Sequence, residues 1–226
     1  MGLTDFFRRK KEDPDVDTGA SDAPVFPTKA LARFLSSLSA HEQPILIDLG
    51  PVVGSNVTFF GEQLGCKIFV EDITKDIDRH VRDNTPGALP EFLSRRFPQP
   101  DATFDGILCW DIFDYLERPA VQVLASQVVR LLRPEGLLLA FFNHTETPPP
   151  GPPTYTKHIV VDPRHLEHRT YPAARGKQRP LPNRDLQRIF APLTITDQFL
   201  LKTNVREVIF RKPAGSGAAP EQPAQS

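Results

Sequence analysis

The chain has 226 residues, 39% of them hydrophobic and 24% charged, with 27 Lys+Arg against 28 Asp+Glu for a formal charge of -1. That length fits one domain with decorated ends, able to bury roughly 70% of its unfolded surface, and the composition excludes a chain disordered throughout. The balanced charge lacks the basic excess of proteins that live on phosphate backbones, so no nucleic-acid partner is indicated.

The N-terminus carries Phe6 and Phe7 ahead of Arg8-Arg9-Lys10-Lys11. Apolar before basic is the reverse of a secretory signal, and Phe6 stands where an acylation motif requires Ser or Thr. A weak membrane or partner contact through these rings stays open. Residues 1–24 and 213–226 are small, acidic or Pro/Ala-rich and are expected to be mobile tails around a domain spanning 25–212. The longest apolar runs fall far short of the roughly 20 residues that span a bilayer, so no transmembrane segment is expected. Cys66 and Cys109 sit in apolar surroundings without zinc spacing and read as core thiols, which favours a cytoplasmic setting.

Within the domain, Pro27-Thr28 followed by Leu31, Phe34, Leu35 and Leu38 predicts a first helix. Ile45-Leu46-Ile47 ending at Asp48 reads as a strand buried on both faces. Ser55 to Leu64 reads as a helix with Val57, Phe60 and Leu64 inward, closed by Gly65. Lys67 to Val70 is the next strand. Between Asp76 and Pro98 only helix-like and loop-like stretches are legible, so one element of a regular alternation is missing. Phe104 to Trp110 is a buried strand; Val121, Leu124, Val128 and Leu131 mark a helix; Leu137 to Phe142 is a further strand. Residues 145–184 begin as a proline-crowded connector and continue as an insertion rich in His and Arg. Asn183 is placed to cap a helix carrying Leu186, Ile189 and Phe190, and Leu193 to Leu201 with Val205 to Arg211 reads as a hairpin. The fold class is therefore α/β: a Rossmann-like, mostly parallel sheet with helices on both faces and a C-terminal antiparallel hairpin.

The chemistry concentrates where Asp48-Leu49-Gly50-Pro51-Val52-Val53-Gly54 joins a strand to a helix, because ligands of open α/β sheets sit beyond the carboxyl ends of the strands. Gly50 and Gly54 admit a backbone close to a ligand. This segment resembles the acid-x-Gly-x-Gly-x-Gly motif of class I S-adenosylmethionine-dependent methyltransferases, with Val52 in place of the middle glycine. The resemblance continues in order. Glu71-Asp72-Ile73-Thr74 is similar to the family's ribose-binding acid; either carboxylate is admissible, and Asp72 better matches the acid-apolar-hydroxyl ending. Trp110-Asp111 and Tyr115 fall in the fourth-strand segment, and Leu131-Leu132-Arg133-Pro134-Glu135-Gly136 in the turn before the fifth strand. No acid stands where the family contacts adenine; counting back reaches Leu93-Ser94.

The resemblance implies S-adenosylmethionine as cofactor, held by Asp48, Gly50, Gly54, Glu71, Asp72, Trp110 and Asp111. It implies methyl transfer to a small-molecule acceptor, with Tyr115, Asn143 and His144 on the acceptor side and residues 155–184 as its wall. Taken singly, Asp48-Gly50 is also compatible with an ordinary strand-to-helix turn, Glu71-Asp72 with a solvated pair, Trp110 with a packing residue and Asp114 with a helix-terminal acid. Four histidines lie between His144 and His168, but no accompanying ligand set supports a metal, so none is expected. The rival reading is a non-catalytic binding or scaffold protein of the same fold, suggested by Val52, the absent adenine acid and the missing strand. A dinucleotide oxidoreductase is disfavoured because Gly-x-Gly-x-x-Gly cannot be written over Gly50 to Ser55.

Overall fold

A computed structural model describes residues 23–38, 42–145 and 151–214. Most of both expected tails, and Pro148 to Pro150 of the connector, lie outside the described residues. The main sheet has six strands in the order β3 (Lys67–Val70), β2 (Ile45–Asp48), β4 (Phe104–Trp110), β5 (Leu132–Asn143), β9 (Val205–Arg211) and β8 (Thr194–Leu200). The first four are parallel; β9 runs antiparallel to β5, and β8 antiparallel to β9. Among the described residues no strand forms between Val70 and Phe104. The chain instead passes through α3 (Ile73–Arg82) and α4 (Leu89–Arg95), which leaves β3 as the sheet edge.

Successive residues of the parallel strands feed two cores. Leu46, Leu108 and Leu139 pack with α1 (Ala30–Leu38) through Leu31, Phe34 and Leu38, while Ile47, Ile107 and Leu138 face α5 (Arg118–Leu131) and α6 (Asn183–Ile189) through Leu124, Val128 and Leu186. This is why the strands read as continuous apolar runs rather than as alternation. Gly106 marks the closest approach of α1 to the sheet, since a Cβ there would lie 2.6 Å from Leu46 and 2.8 Å from Phe34. The start of α1 is capped twice. Thr28 Oγ1 accepts from the Leu31 amide, and Glu207 Oε2, on β9, accepts from the amides of Lys29 and Ala30.

Three local expectations need correction. The helix after β2 is one α-helical segment, α2 (Gly54–Thr58), running into a π-helical turn over Phe59–Gln63. The wider turn changes the phase of the helix. Phe59 and Phe60 are buried, whereas Val57 and Leu64, expected inward, are each 38% exposed. Asn183 does not cap α6: Pro182 holds that position, and Asn183 accepts from Arg206 and from Gln198. Third, a second sheet forms that the sequence reading lacks. β1 (Val25–Pro27), β7 (His165–Pro172) and β6 (Thr154–Asp162) pair antiparallel in the order β1-β7-β6. It sits against the main sheet through Asn56 of α2, whose Nδ2 donates to the His158 carbonyl and whose Oδ1 accepts from the Val160 amide. Among the described residues no helix is long and apolar enough to cross a membrane.

Candidate functional site

The strand order reverses between β2 and β4, because the chain leaves β2 for β3 on one side and returns to β4 on the other. A crevice opens at such a point beyond the carboxyl ends of the strands. Asp48 ends β2 there, and one of its oxygens, Oδ1, accepts from the Gly50 amide and from Trp110 Nε1, both at 2.8 Å. Burial pushes the Asp48 carboxyl up to about 7, against the two hydrogen bonds. Trp110 ends β4 at φ +45, a left-handed conformation uncommon for a bulky residue. It turns the indole back over Gly50, so that a Cβ on Gly50 would lie 2.5 Å from the ring. A Cβ on Gly54, the other motif glycine, would meet no side chain or distant backbone within 4 Å.

The two ribose candidates are separated. Asp72 caps α3, accepting from the Lys75 amide at 3.1 Å. Burial raises its pKa despite that bond and the Lys75 charge. Glu71 points to a different partner, Arg96 Nη1 at 2.8 Å, which also binds Asp76 through Nε. Ser94 is exposed on α4 with its hydroxyl donating to the Glu91 carbonyl, and it is not among the residues lining the crevice.

On the β4 side, Asp111 and Asp114 are both buried and share Lys177, whose Nζ lies 2.7 Å from Asp111 Oδ2 and 3.3 Å from Asp114 Oδ2. Burial opposes ionisation of both. For Asp111 the nearer ammonium and His158 outweigh it and hold the carboxyl below the usual range; Asp114 is pushed up to about 6 by burial, with the neighbouring Asp111 charge adding to it. Lys177 would be lowered by burial, but the two carboxylates raise it above its ordinary value. Tyr115 is raised as well, by burial and then by both aspartates; its hydroxyl donates to Asp111 Oδ2 at 3.4 Å. His158 Nε2 lies 3.2 Å from Asp111 Oδ1, its ring stacks on Trp110 at 5.4 Å between centroids and 13°, and its Nδ1 has no partner among the described residues. Asn143 sits beside this group, its amide donating to Asp114 Oδ2, but exposed His144 does not line the crevice and bonds instead to Asn204 through its backbone.

Trp110, Asp111 and Tyr115 thus line the crevice, Asp48 and Gly50 lie behind the indole that closes it, and Asp72 lines the neighbouring groove, whereas Glu71 and His144 line neither space. Sequence reasoning missed His158 and Lys177. The alternating, β-branched run Thr154 to Val161 is a strand signal that places His158 on the same face as Val160. Lys177 carries no signal, being one cation in an irregular stretch of several. Among the described residues no group of His, Cys, Asp or Glu suits a metal ion.

A cofactor the size of S-adenosylmethionine does not fit this arrangement. The space lined by Pro51, Thr74, Ile77, Asp111, Tyr115 and Tyr155 has a volume of about 10 Å³, enough for one water. Pockets for small ligands measure roughly 300 to 1,000 Å³. The backbone approach at Gly50 is filled by the indole, and each candidate carboxylate is engaged by a group of the chain itself.

Residues 47–140 match the family described as a methyltransferase domain. No protein of curated function matches the chain. Among solved structures, the chain is similar to 1,6-didemethyltoxoflavin-N1-methyltransferase of Burkholderia thailandensis, with bound 1,6-didemethyltoxoflavin and S-adenosylhomocysteine, at 17% identity and TM-score 0.49 over 81% of this chain and 78% of that one. It is similar to the CcbJ methyltransferase of Streptomyces caelestis at 14% identity and TM-score 0.49, covering 81% and 88%. The glycopeptide N-methyltransferase MtfA, complexed with S-adenosylmethionine, follows at 15% identity and TM-score 0.46, covering 81% and 93%. The part of the chain that matches a methyltransferase domain, residues 47–140, thus runs from β2 through β5 and carries the four parallel strands of a Rossmann-like sheet.

Proposed function

We propose that the chain is an S-adenosylmethionine-dependent methyltransferase acting on a small-molecule acceptor, and that it works from an opened form of the crevice. The observation that carries this reading is convergence. Asp48 with Gly50, Asp72, and Trp110 with Asp111 come from three strand ends far apart in the chain and meet at the reversal of strand order. The donor edge is formed by Asp48 to Gly54, Asp72 and Trp110-Asp111, with Asp72 rather than Glu71 at the ribose because Arg96 engages Glu71. Tyr115 and Asn143 are the acceptor-side residues.

A second reading, a non-catalytic protein of the same fold, is favoured by one specific observation, the filling of that crevice by Trp110, His158 and Lys177. One measurement separates the two. Saturating S-adenosylmethionine or S-adenosylhomocysteine should raise the unfolding free energy, by roughly 2.7 kcal/mol at a hundredfold excess over Kd. A melting midpoint unmoved by millimolar amounts of either, with no heat in calorimetry, rejects the enzyme in favour of the scaffold.

A further inference from the structure

The misfit between the crevice and the cofactor traces to one segment. Residues 173–182, between β7 and α6, have no regular secondary structure and cross the carboxyl edge of the sheet. Besides Lys177, four attachments hold residues 173–178: the Ala173 amide to the Pro153 carbonyl, the Ala174 amide to Asp78 Oδ1, Arg175 to half-exposed Glu117, and the Gln178 amide to the Asp114 carbonyl; beyond them buried Leu181, its carbonyl accepting from Arg206, anchors the segment to the core. A segment without regular structure has no ladder of backbone bonds to hold it, so it lifts as a unit once its side-chain ties are released, and the strongest of these is Lys177. Lys177 lies in its middle. From Nζ a continuous line of contacts runs through Asp111 to His158, from His158 by ring stacking to Trp110, and from Trp110 to Asp48 and the space over Gly50.

We propose that residues 173–178 are an autoinhibitory strap, with Lys177 as its latch. The ammonium neutralises Asp111 and Asp114, which fixes His158 and through it the indole over Gly50; when the strap lifts, the two carboxylates lose their cation and the indole loses its support. The enclosed space then joins the open groove of about 320 Å³ beside Asp72, since Thr74, Asp78 and Tyr155 line both. Asp78 is also the strap's anchor at Ala174, so the wall between the two spaces and the fastening of the strap are one place. The two buried carboxylates favour a ligand that brings positive charge of its own. This inference rests on the donor reading given above for what enters, but the closure itself does not.

Trp110 is the chain's single tryptophan and is 2% exposed, so its fluorescence reports the latch without any ligand. Acrylamide quenching is measured on the full-length protein, on Lys177→Met and on Arg175→Ala, each checked for folding by circular dichroism; Arg175→Ala keeps Lys177 and both aspartates and decides the matter if Lys177→Met does not fold. S-adenosylhomocysteine is then titrated calorimetrically into the same samples. The strap requires quenching to rise several-fold in the variants and S-adenosylhomocysteine affinity to improve by about tenfold or more, because closure lowers apparent affinity by the fraction of open molecules. Quenching unchanged in every folded variant overturns the strap, whatever the ligand does. Raised quenching with no binding in any sample overturns the donor reading, and with it the autoinhibitory role, leaving a closure that guards nothing.

Discussion

Strand β4 carries a buried aspartate at each end, and the two are neutralised in opposite ways. At the amino end both oxygens of Asp105 accept from Arg133 Nη1 at 2.9 Å, and Oδ2 also accepts from the Ile45 amide. Arg133 lies in the neighbouring strand β5 at the register shift between Leu132 and Leu137, so the pair pins an irregularity that both strands of the sheet enclose. At the carboxyl end Asp111 meets Lys177 from a strap without regular structure, and His158 from a separate sheet. The same chemistry therefore fastens the fold at one end and, at the other, fastens something that is able to leave. A buried carboxylate is a fixture only if its cation is carried by an element that cannot move on its own.

Removing each cation breaks the comparison most directly. Lys177→Met strips two buried carboxylates of the ammonium they share and is expected to cost about 3 to 5 kcal/mol in denaturant unfolding. Arg133→Met leaves Asp105 with the Ile45 amide, and Arg133 is 41% exposed, so water takes over part of its role; a loss of about 1 to 2 kcal/mol is expected. A larger loss for Arg133 would reverse the assignment of the two ends.

The pH dependence sharpens it. Asp48 is raised to about 7 and Asp114 to about 6 by burial, so between the unfolded value near 4 and these folded values the native state binds more protons than the unfolded one. Their contribution is full below about pH 4 and is lost as the pH rises through about 6 and then about 7. Asp48→Asn keeps an acceptor for Gly50 and Trp110 but carries no charge. It should match the natural protein at pH 4 and gain on it steadily up to pH 8, as melting midpoints in one buffer series will show; parallel curves would place the ionisation elsewhere.

The two motif glycines offer a smaller contrast. Gly50→Ala drives a methyl into the indole and is expected to cost about 1 to 3 kcal/mol, while Gly54→Ala meets open space at the start of a helix and should be neutral or stabilising by about 0.5 kcal/mol. Equal effects at both would mean that the indole yields readily. The smallest effect expected is at Asp72, which caps α3: Asp72→Ala should lower stability by about 1 kcal/mol even without ligand. Glu71→Ala should cost less, because the Arg96 it releases keeps Asp76. Asp72 therefore has a structural duty as well as its place beside the groove.

Much of the main sheet was legible. Ile45 to Asp48 and Phe104 to Trp110 announce themselves because strands buried on both faces tolerate only apolar side chains, while Lys67 to Val70 and the hairpin over residues 194–211 lie at the sheet edges and show as short β-prone runs set off by turn residues. The absence of a strand between Asp76 and Pro98 was legible for the same reason, since no such run occurs there. Asp48 and Gly50 were singled out by the strand-to-helix turn they form, and Asp72 by the acid-apolar-hydroxyl ending that the resemblance supplies. Val57 and Leu64 were misplaced because a π-turn does not show in apolar spacing. The second sheet was missed because its half-polar strands face a crevice, not a core.

By itself the sequence determined the fold class, the strand ends that meet at the crevice and the acids they carry, since burial periodicity and turn geometry are local and leave their mark on residue type. What fills the crevice was decided only by the tertiary structure. Nothing local marks Lys177 as the cation that reaches Asp111, or Trp110 as the side chain that turns back over Gly50. An ion pair spanning more than sixty residues and a left-handed backbone at one tryptophan are settled by how separate elements come to lie together. Electrostatic pairing constrains charge and distance, and it leaves position in the chain free.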